Sequence, residues 1–345
     1  MSNDNKPALV SVVKVQGDVM AAVKKAMELA RWQDFIPRGA AVALKPNLGW
    51  DLFFPGAVTS PWVLEGVITT IKEHVGQLYV VEAGQVLVDV EKAVRQTGIL
   101  ALCEKYRLPW INMSKGKFVK VKLDNGLIMK ELAVPEILTR TTLITIPVMK
   151  THGKTTITGS IKNQWGCLPE FRHNYHPVVN QVLVDINLAV KPRFTVVDGT
   201  IGMEGNGPKS GSPKIADLIM ASGDIVAADT VMTRLMGFEP GQIKMIANCA
   251  KAGLGEADET KIKVVGADIR GLNLHFKPAK HNTVSLVEQL LRQSKLLRWV
   301  IFHTFVLKLC CWGALLWYYI WYYLGPGKRM KDQVLRHPLY GKQWR

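Results

Sequence analysis

The densest run of groups able to do chemistry lies between Met149 and His176, MKTHGKTTITGSIKNQWGCLPEFRHNYH. It holds His152, His173, His176, Lys150, Lys154, Lys162, Arg172 and the amide Asn163, with Gly153, Gly159 and Gly166 between them. Neutral imidazoles ligate transition metals or exchange protons near neutral pH, while lysine and arginine neutralise carboxylates or phosphates. His173 and His176 stand three residues apart, a spacing that brings two rings together only on a helix. The plainer alternative is three surface histidines in a basic loop.

Such groups matter only if the chain brings them together. Thr142 to Val148, TLITIPV, is rich in β-branched residues and short enough for a buried strand, so the cluster sits in the loop leaving a strand. Upstream, Ala8 to Val15 reads as a strand and Val19 to Arg31 as a helix with Asp18 as N-cap. Ala40 to Lys45 is a second strand, ending in KPNLGW. Ser60 to His74 is a helix with Pro61 in its first turn, and Leu78 to Ala83 is a third strand with Glu82 at its end. This alternation predicts a three-layer α/β fold with a mostly parallel sheet. Phe118 to Leu123 and Leu127 to Leu132 flank Asp124, Asn125 and Gly126, whose Asn-Gly pair predicts an inserted β-hairpin. After the cluster come a helix over 178–190, a strand at Phe194 to Val197 and a glycine-rich loop, Asp198 to Pro213. A strand at Ile215 to Ala221, a helix at Asp224 to Met236 and a last strand at Lys261 to Val265 follow.

In an open parallel sheet, ligands bind outside the carboxyl ends of the strands. Four loops reach that edge here: Lys45 with Asn47; Glu82; the histidine and lysine cluster with Lys150 and Asn163; and the glycine loop with Asp198, Gly202, Glu204 and Gly205. The last could cradle an anion on backbone amides, hold a hard cation on carboxylates, or be a tight turn. It is no Walker loop, since no GKS or GKT follows. Lys45, Lys150, Lys154, Lys162 and Arg172 outnumber Glu82, Glu170 and Asp198, so the expected ligand is an anionic small molecule. Any metal is expected on the imidazoles of His173 or His176.

The chain has 345 residues, 48% of them apolar, with 44 Lys and Arg against 28 Asp and Glu. Residues 271–345 hold 12 basic and 2 acidic side chains, so ten of the sixteen surplus positive charges lie there. No zinc-finger spacing or aromatic RNA-binding signature accompanies them, which favours an anionic membrane surface over nucleic acid. Cys103, Cys167, Cys249, Cys310 and Cys311 form no CxxC pair. Trp299 to Leu324, WVIFHTFVLKLCCWGALLWYYIWYYL, is long enough to cross a hydrocarbon core of about 30 Å. Basic residues flank it on both sides and give no clean topology; a helix lying in the interface is the alternative. The expected organisation is an α/β domain over 1–270, a basic amphipathic lead-in over 271–298, a membrane helix over 299–324 and a basic tail over 325–345. The α/β domain is expected on the cytoplasmic side of a membrane, and truncation after about residue 285 is expected to leave a soluble, folded body. The N-terminus has no signal-peptide pattern.

KPNL at 45–48, PVMKTHGKTTITGSIKN, QWG, HNYH, VVDGTIGMEGNGP and ASGDIVAADTVMTRLMG together resemble the domain-of-unknown-function 362 family over about residues 8–268. That family has no general assigned reaction. Many members carry a ferredoxin-like cysteine insert, which is missing here, so no iron–sulfur cluster is expected. The order His152, Lys162, His176 is also similar to the lactate racemase-like enzymes. That resemblance implies His152 as acid and base, Lys162 as anchor of a metal-containing organic cofactor and His176 as metal ligand. Two departures stand against it: Lys162 follows Ser-Ile instead of paired glycines, and a second catalytic histidine has no match before residue 152. The expected function is a membrane-anchored enzyme of unknown reaction, redox or isomerase-like, with lipid and membrane proteins as partners. The alternative is a non-catalytic assembly subunit of a membrane complex.

Overall fold

The computed structural model describes residues 6–85, 87–169, 172–280 and 306–344. β1 (Ala8–Lys14) leads to α1 (Val19–Leu29), where the Asp18 carboxylate accepts the Ala21 amide at 3.0 Å as an N-cap. β2 (Ala41–Pro46), α2 (Pro61–Ile71) and β3 (Gln77–Glu82) make the first βαβ unit. α3 (Val90–Gln96) and α4 (Ile99–Lys105) then cross to β4 (Trp110–Asn112). At seven residues each, these two helices are too short to declare a period in the sequence.

β5 (Phe118–Lys122) and β6 (Glu131–Pro135) form the inserted hairpin, as a separate antiparallel pair. The expected tight turn on Asn125 and Gly126 is instead a longer loop, because Lys122 pairs with Glu131. The buried Asp185 carboxylate sets this register by accepting the amides of Leu127, Ile128 and Met129 at 2.6, 3.0 and 2.9 Å. A helix side chain, remote in sequence, overrides the local turn signal.

β7 (Thr142–Ile146), β8 (Val148–His152) and β9 (Thr156–Thr158) precede α5 (Ser160–Asn163) and α6 (Val179–Val190). β10 (Phe194–Glu204), β11 (Ser212–Ser222), α7 (Ile225–Met236), α8 (Lys244–Lys251) and β12 (Ile262–Gly266) complete the α/β body. Among the described residues the main sheet runs β12-β1-β11-β10-β7-β2-β3-β4, with β8 beside β10 and β9 beside β8. The pairs β2–β3, β2–β7, β3–β4 and β7–β10 are parallel, whereas β11 is antiparallel to both β1 and β10. The fold is therefore α/β with a mostly parallel mixed sheet. Successive strand residues face opposite sides, and β2 shows it: Val42 and Leu44 enter one core with α1 and α2, Ala43 the other with α6 and α7.

Two expectations need correction. The stretch from Asp198 to Pro213 is mostly strand, since β10 runs to Glu204 and β11 starts at Ser212. Its glycines serve close packing: a Cβ on Gly199 would lie 2.8 Å from the Leu218 carbonyl oxygen, and one on Gly202 2.6 Å from that of Met149. The second correction concerns the C-terminal helix. Among the described residues no helix is long and apolar enough to cross a membrane, and residues 281–305 lie outside them. α9 (Val306–Tyr323) lies along the body, with Tyr318 edge-on to Trp50 at 5.1 Å and Trp321 edge-on to Phe54 at 5.4 Å. The Tyr322 hydroxyl donates to the Phe53 carbonyl at 2.8 Å. The uniform apolarity of this stretch hid which side meets protein, so the run read as a membrane span. α10 (Gly327–Leu335) follows, and beyond it Tyr340 is fully buried with its hydroxyl on Asp217 at 2.5 Å. The expected basic tail is thus packed on the body.

Candidate functional site

At the carboxyl edge of the sheet, β2 delivers Lys45 and β3 delivers Glu82. Their side chains pair at 2.8 Å, 1% and 3% exposed. Gly166 packs against this pair, and a Cβ there would come within 2.5 Å of Glu82 Oε1 and 3.0 Å of Lys45 Nζ. The close approach requires glycine.

β8 supplies Lys150, whose ammonium donates to Asn47 Oδ1 at 2.6 Å and to the Ala57 carbonyl at 2.9 Å. Asn47 Nδ2 donates in turn to Asn163 Oδ1 at 3.0 Å. Asn163 Nδ2 reaches the Lys45 carbonyl at 3.1 Å and Thr145 Oγ1 at 2.8 Å. This relay of amides ties the ends of β2, β7 and β8 to α5. One turn of α5 points Lys162 into the same space; its Nζ lies 5.5 Å from the Trp165 ring centre and makes no hydrogen bond among the described residues. Across the cavity, Lys209 Nζ donates to the Leu87 carbonyl at 3.2 Å and sits 4.4 Å from Trp50 and 5.5 Å from Tyr318 of α9.

These groups enclose a cavity of about 70 Å³, lined by Lys45, Lys150, Lys162, Lys209, Asn47, Asn163, His152, Thr158 and Trp165, with Glu82 as the one carboxylate of the lining residues. That is room for a small anionic group or a few waters. The buried Thr158 hydroxyl has no protein partner among the described residues. Four ammonium groups therefore face one carboxylate, already engaged by Lys45.

Burial pushes the Lys150 ammonium down to about 7, with Lys162 lowering it further and Glu82 opposing. Burial and then Arg172 and Lys154 bring Lys162 to about 7. Burial alone takes Lys209 to about 7, against a pull from Asp51. Burial and the neighbouring Lys162 hold His152 well below its usual value, so its ring is neutral. Its Nδ1 accepts the Lys154 amide at 3.0 Å, which places the ring proton on Nε2.

A pH dependence follows. Between about pH 7 and 10.5 the unfolded chain holds lysine protons that the folded protein has released, so ligand-free stability rises with pH across that interval. Asp229, pushed up to about 6, acts only below it. Thiols pushed up to about 11 and 12 at Cys103 and Cys167 oppose the trend only above their usual value of 9.0. The melting temperature of ligand-free protein should therefore climb from pH 7.0 to 8.5, and climb less in saturating phosphate, which restores the ammonium forms. A fall over that interval without ligand would contradict the assignment.

Of the residues singled out in the sequence, Lys45, Asn47, Lys150, His152, Lys162 and Asn163 converge on the cavity. Asp198 lies beneath it in β10, its carboxylate accepting the Ser60 amide at 2.7 Å and the Thr200 hydroxyl at 2.6 Å, with burial raising its pKa. Gly202, Glu204 and Gly205 are not among the lining residues. Glu204 pairs with Lys214 at 3.1 Å and accepts the Lys277 amide at 3.1 Å, while the Gly205 carbonyl accepts the Thr151 hydroxyl at 2.8 Å. This corrects the glycine-loop cradle: the extension of β10 carries these residues past the cavity. His176 stacks on Trp165 at 5.6 Å, with Nδ1 3.3 Å from Lys154 Nζ. The His173 side chain lies outside the described residues. No three of the described His, Cys, Asp or Glu side chains gather as a metal site, and ammonium groups around the cavity repel a cation. The sequence reading gave no role to Thr158, Trp165, Gly166 and Lys209; only the position of the first three inside the cluster signalled them.

The fold and site define an α/β protein with a lysine-lined pocket at the strand ends. Residues 42–234 match the model of the domain-of-unknown-function family DUF362, and the chain belongs to that family. It is 26% identical over 249 residues to the thylakoid-associated protein sll1697 of Synechocystis sp., covering 69% of this chain and 76% of that one. The lactate racemase apoprotein of Thermoanaerobacterium thermosaccharolyticum superposes with a TM-score of 0.40 at 11% identity, over 68% of this chain. The chain spans 58% of that protein's length.

Proposed function

We propose that this protein binds a small anion, carboxylate or phosphate, in the strand-end pocket and exchanges a proton with it, as an enzyme of the isomerase or redox class working at a membrane surface. The observation that carries this reading is the set of buried lysines, Lys150, Lys162 and Lys209, around a cavity whose one lining carboxylate is already paired with Lys45. An anion there gains charge-assisted hydrogen bonds and relieves the mutual repulsion of the ammonium groups. Lys162, near 7, is poised to give or take a proton at physiological pH, and His152 Nε2–H is a neutral donor beside it. A second reading, a non-catalytic subunit of a membrane complex on the cytoplasmic side, draws on the thylakoid association of the Synechocystis relative.

The test is small-molecule mass spectrometry on protein purified from its own cells, with titration of inorganic phosphate and small carboxylates. The enzyme reading expects a released carboxylate or phosphate near one per chain, and binding that weakens as pH rises from 7 to 9. Protein that yields no anion and takes up neither probe favours the assembly reading.

A further inference from the structure

α9 is apolar on both faces. Ala314, Tyr318 and Tyr322 are buried on the body. On the opposite face Leu309, Trp312, Leu316, Ile320 and Tyr323 recur at helical spacing and are exposed, Trp312 by 72% and Leu309 by 59%, and Leu324 just beyond is 82% exposed. No charged residue occurs from 309 to 324. A helix on a solvated surface normally turns polar residues outward, and a continuous apolar stripe of this kind marks a contact with something else. Immediately after it, Lys328, Arg329, Arg336 and Lys342 are exposed on α10 and the following segment, while the nearby acid Asp332 is taken by Lys331 at 3.2 Å.

We infer that the outward face of α9, with the α10 cations, is an in-plane docking surface for an anionic lipid bilayer. Apolar and aromatic side chains enter the acyl boundary while arginines meet lipid phosphates, the arrangement of an interfacial helix. The helix cannot also stand across the bilayer, because doing so would pull Tyr318 and Tyr322 from the protein core. Charge complementarity selects lipid over a second copy of this chain, whose own α10 would bring like charges together. The inference rests on the membrane placement proposed above and specifies its geometry.

The experiment is vesicle flotation of the full-length protein. Wild type should float with vesicles containing phosphatidylglycerol and bind pure phosphatidylcholine much less. Arg329→Glu with Arg336→Glu should weaken binding to the anionic vesicles at least about 30-fold, at about 1 kcal/mol for each basic residue lost and more for the reversed charge. Leu316→Glu with Ile320→Glu should lower it about tenfold or more. Exposed positions keep the fold, which an unchanged melting temperature verifies. If wild type binds no vesicle, the membrane placement itself fails. If wild type binds and both double variants bind equally well, the membrane placement stands and this docking face is overturned. A wild-type dimer that Leu316→Glu with Ile320→Glu converts to monomer, without vesicle binding, assigns the face to a second copy and overturns the lipid.

Discussion

Lys162→Met is expected to cost affinity for the pocket anion about 10- to 100-fold and to leave the melting temperature of the ligand-free protein unchanged or higher. A charge-assisted hydrogen bond contributes about 1.5–3 kcal/mol, which sets the loss of binding. The stability expectation runs the other way because burial has pushed Lys162 down to about 7, so the folded state carries a cost for holding the ammonium at neutral pH. Methionine removes that charge and keeps most of the volume, avoiding a cavity penalty. Lys45→Met is the contrasting case. It would strand Glu82, 3% exposed, without its cation, and breaking a buried pair in this way typically costs about 3–5 kcal/mol. Isothermal titration with phosphate and thermal melts on both variants check the pair. If Lys162→Met kept wild-type affinity, Lys162 would be a buried lysine of no consequence to the ligand; if both variants melted alike, the division between holding and binding lysines would be wrong.

That division marks how far the sequence could be read. Strand ends are legible because β-branched runs are short and bounded, so the sequence alone places Lys45, Glu82 and Lys150 on one edge. Apart from His173 and His176, six of the ten residues assigned to the site, Lys45, Asn47, Lys150, His152, Lys162 and Asn163, line the cavity, and the edge rule accounts for them, since parallel strands share a direction. The glycine loop misled because glycine has two uses. It frees the backbone for turns, and it lets strands and carbonyls approach closely; Gly199 and Gly202 serve the second. Lys209 was invisible for a different reason. Its place in the cavity depends on Trp50 and Tyr318, which are far from it in sequence and meet it only after α9 docks. Asp185 likewise sets the hairpin register through a contact no local pattern encodes.

Removal of residues 306–345 is expected to destabilise the body, not to leave it soluble and folded. Tyr318, Tyr322 and Tyr340 are buried against it, and Val334 packs in the same core. Each aromatic buries roughly 150–250 Å², and at about 25 cal/mol per Å² even part of that surface amounts to several kcal/mol. The stability of a typical domain is only about 5–15 kcal/mol. Loss of α9 would also uncover Trp50 and Phe54, and would remove the Tyr318 ring over which the pocket residue Lys209 places its Nζ, 5.5 Å from the ring centre. The truncated chain should therefore aggregate or melt well below full-length protein, and any folded fraction should bind phosphate more weakly. The milder Tyr318→Leu keeps the helix and most of the apolar contact, so it separates the two effects: the fold should survive while phosphate affinity falls. Urea denaturation of the truncated chain and phosphate titration of Tyr318→Leu are the measurements. A truncated body as stable as the full-length protein would mean that the C-terminal segment merely rests on the surface, and an unchanged affinity in Tyr318→Leu would detach α9 from the pocket.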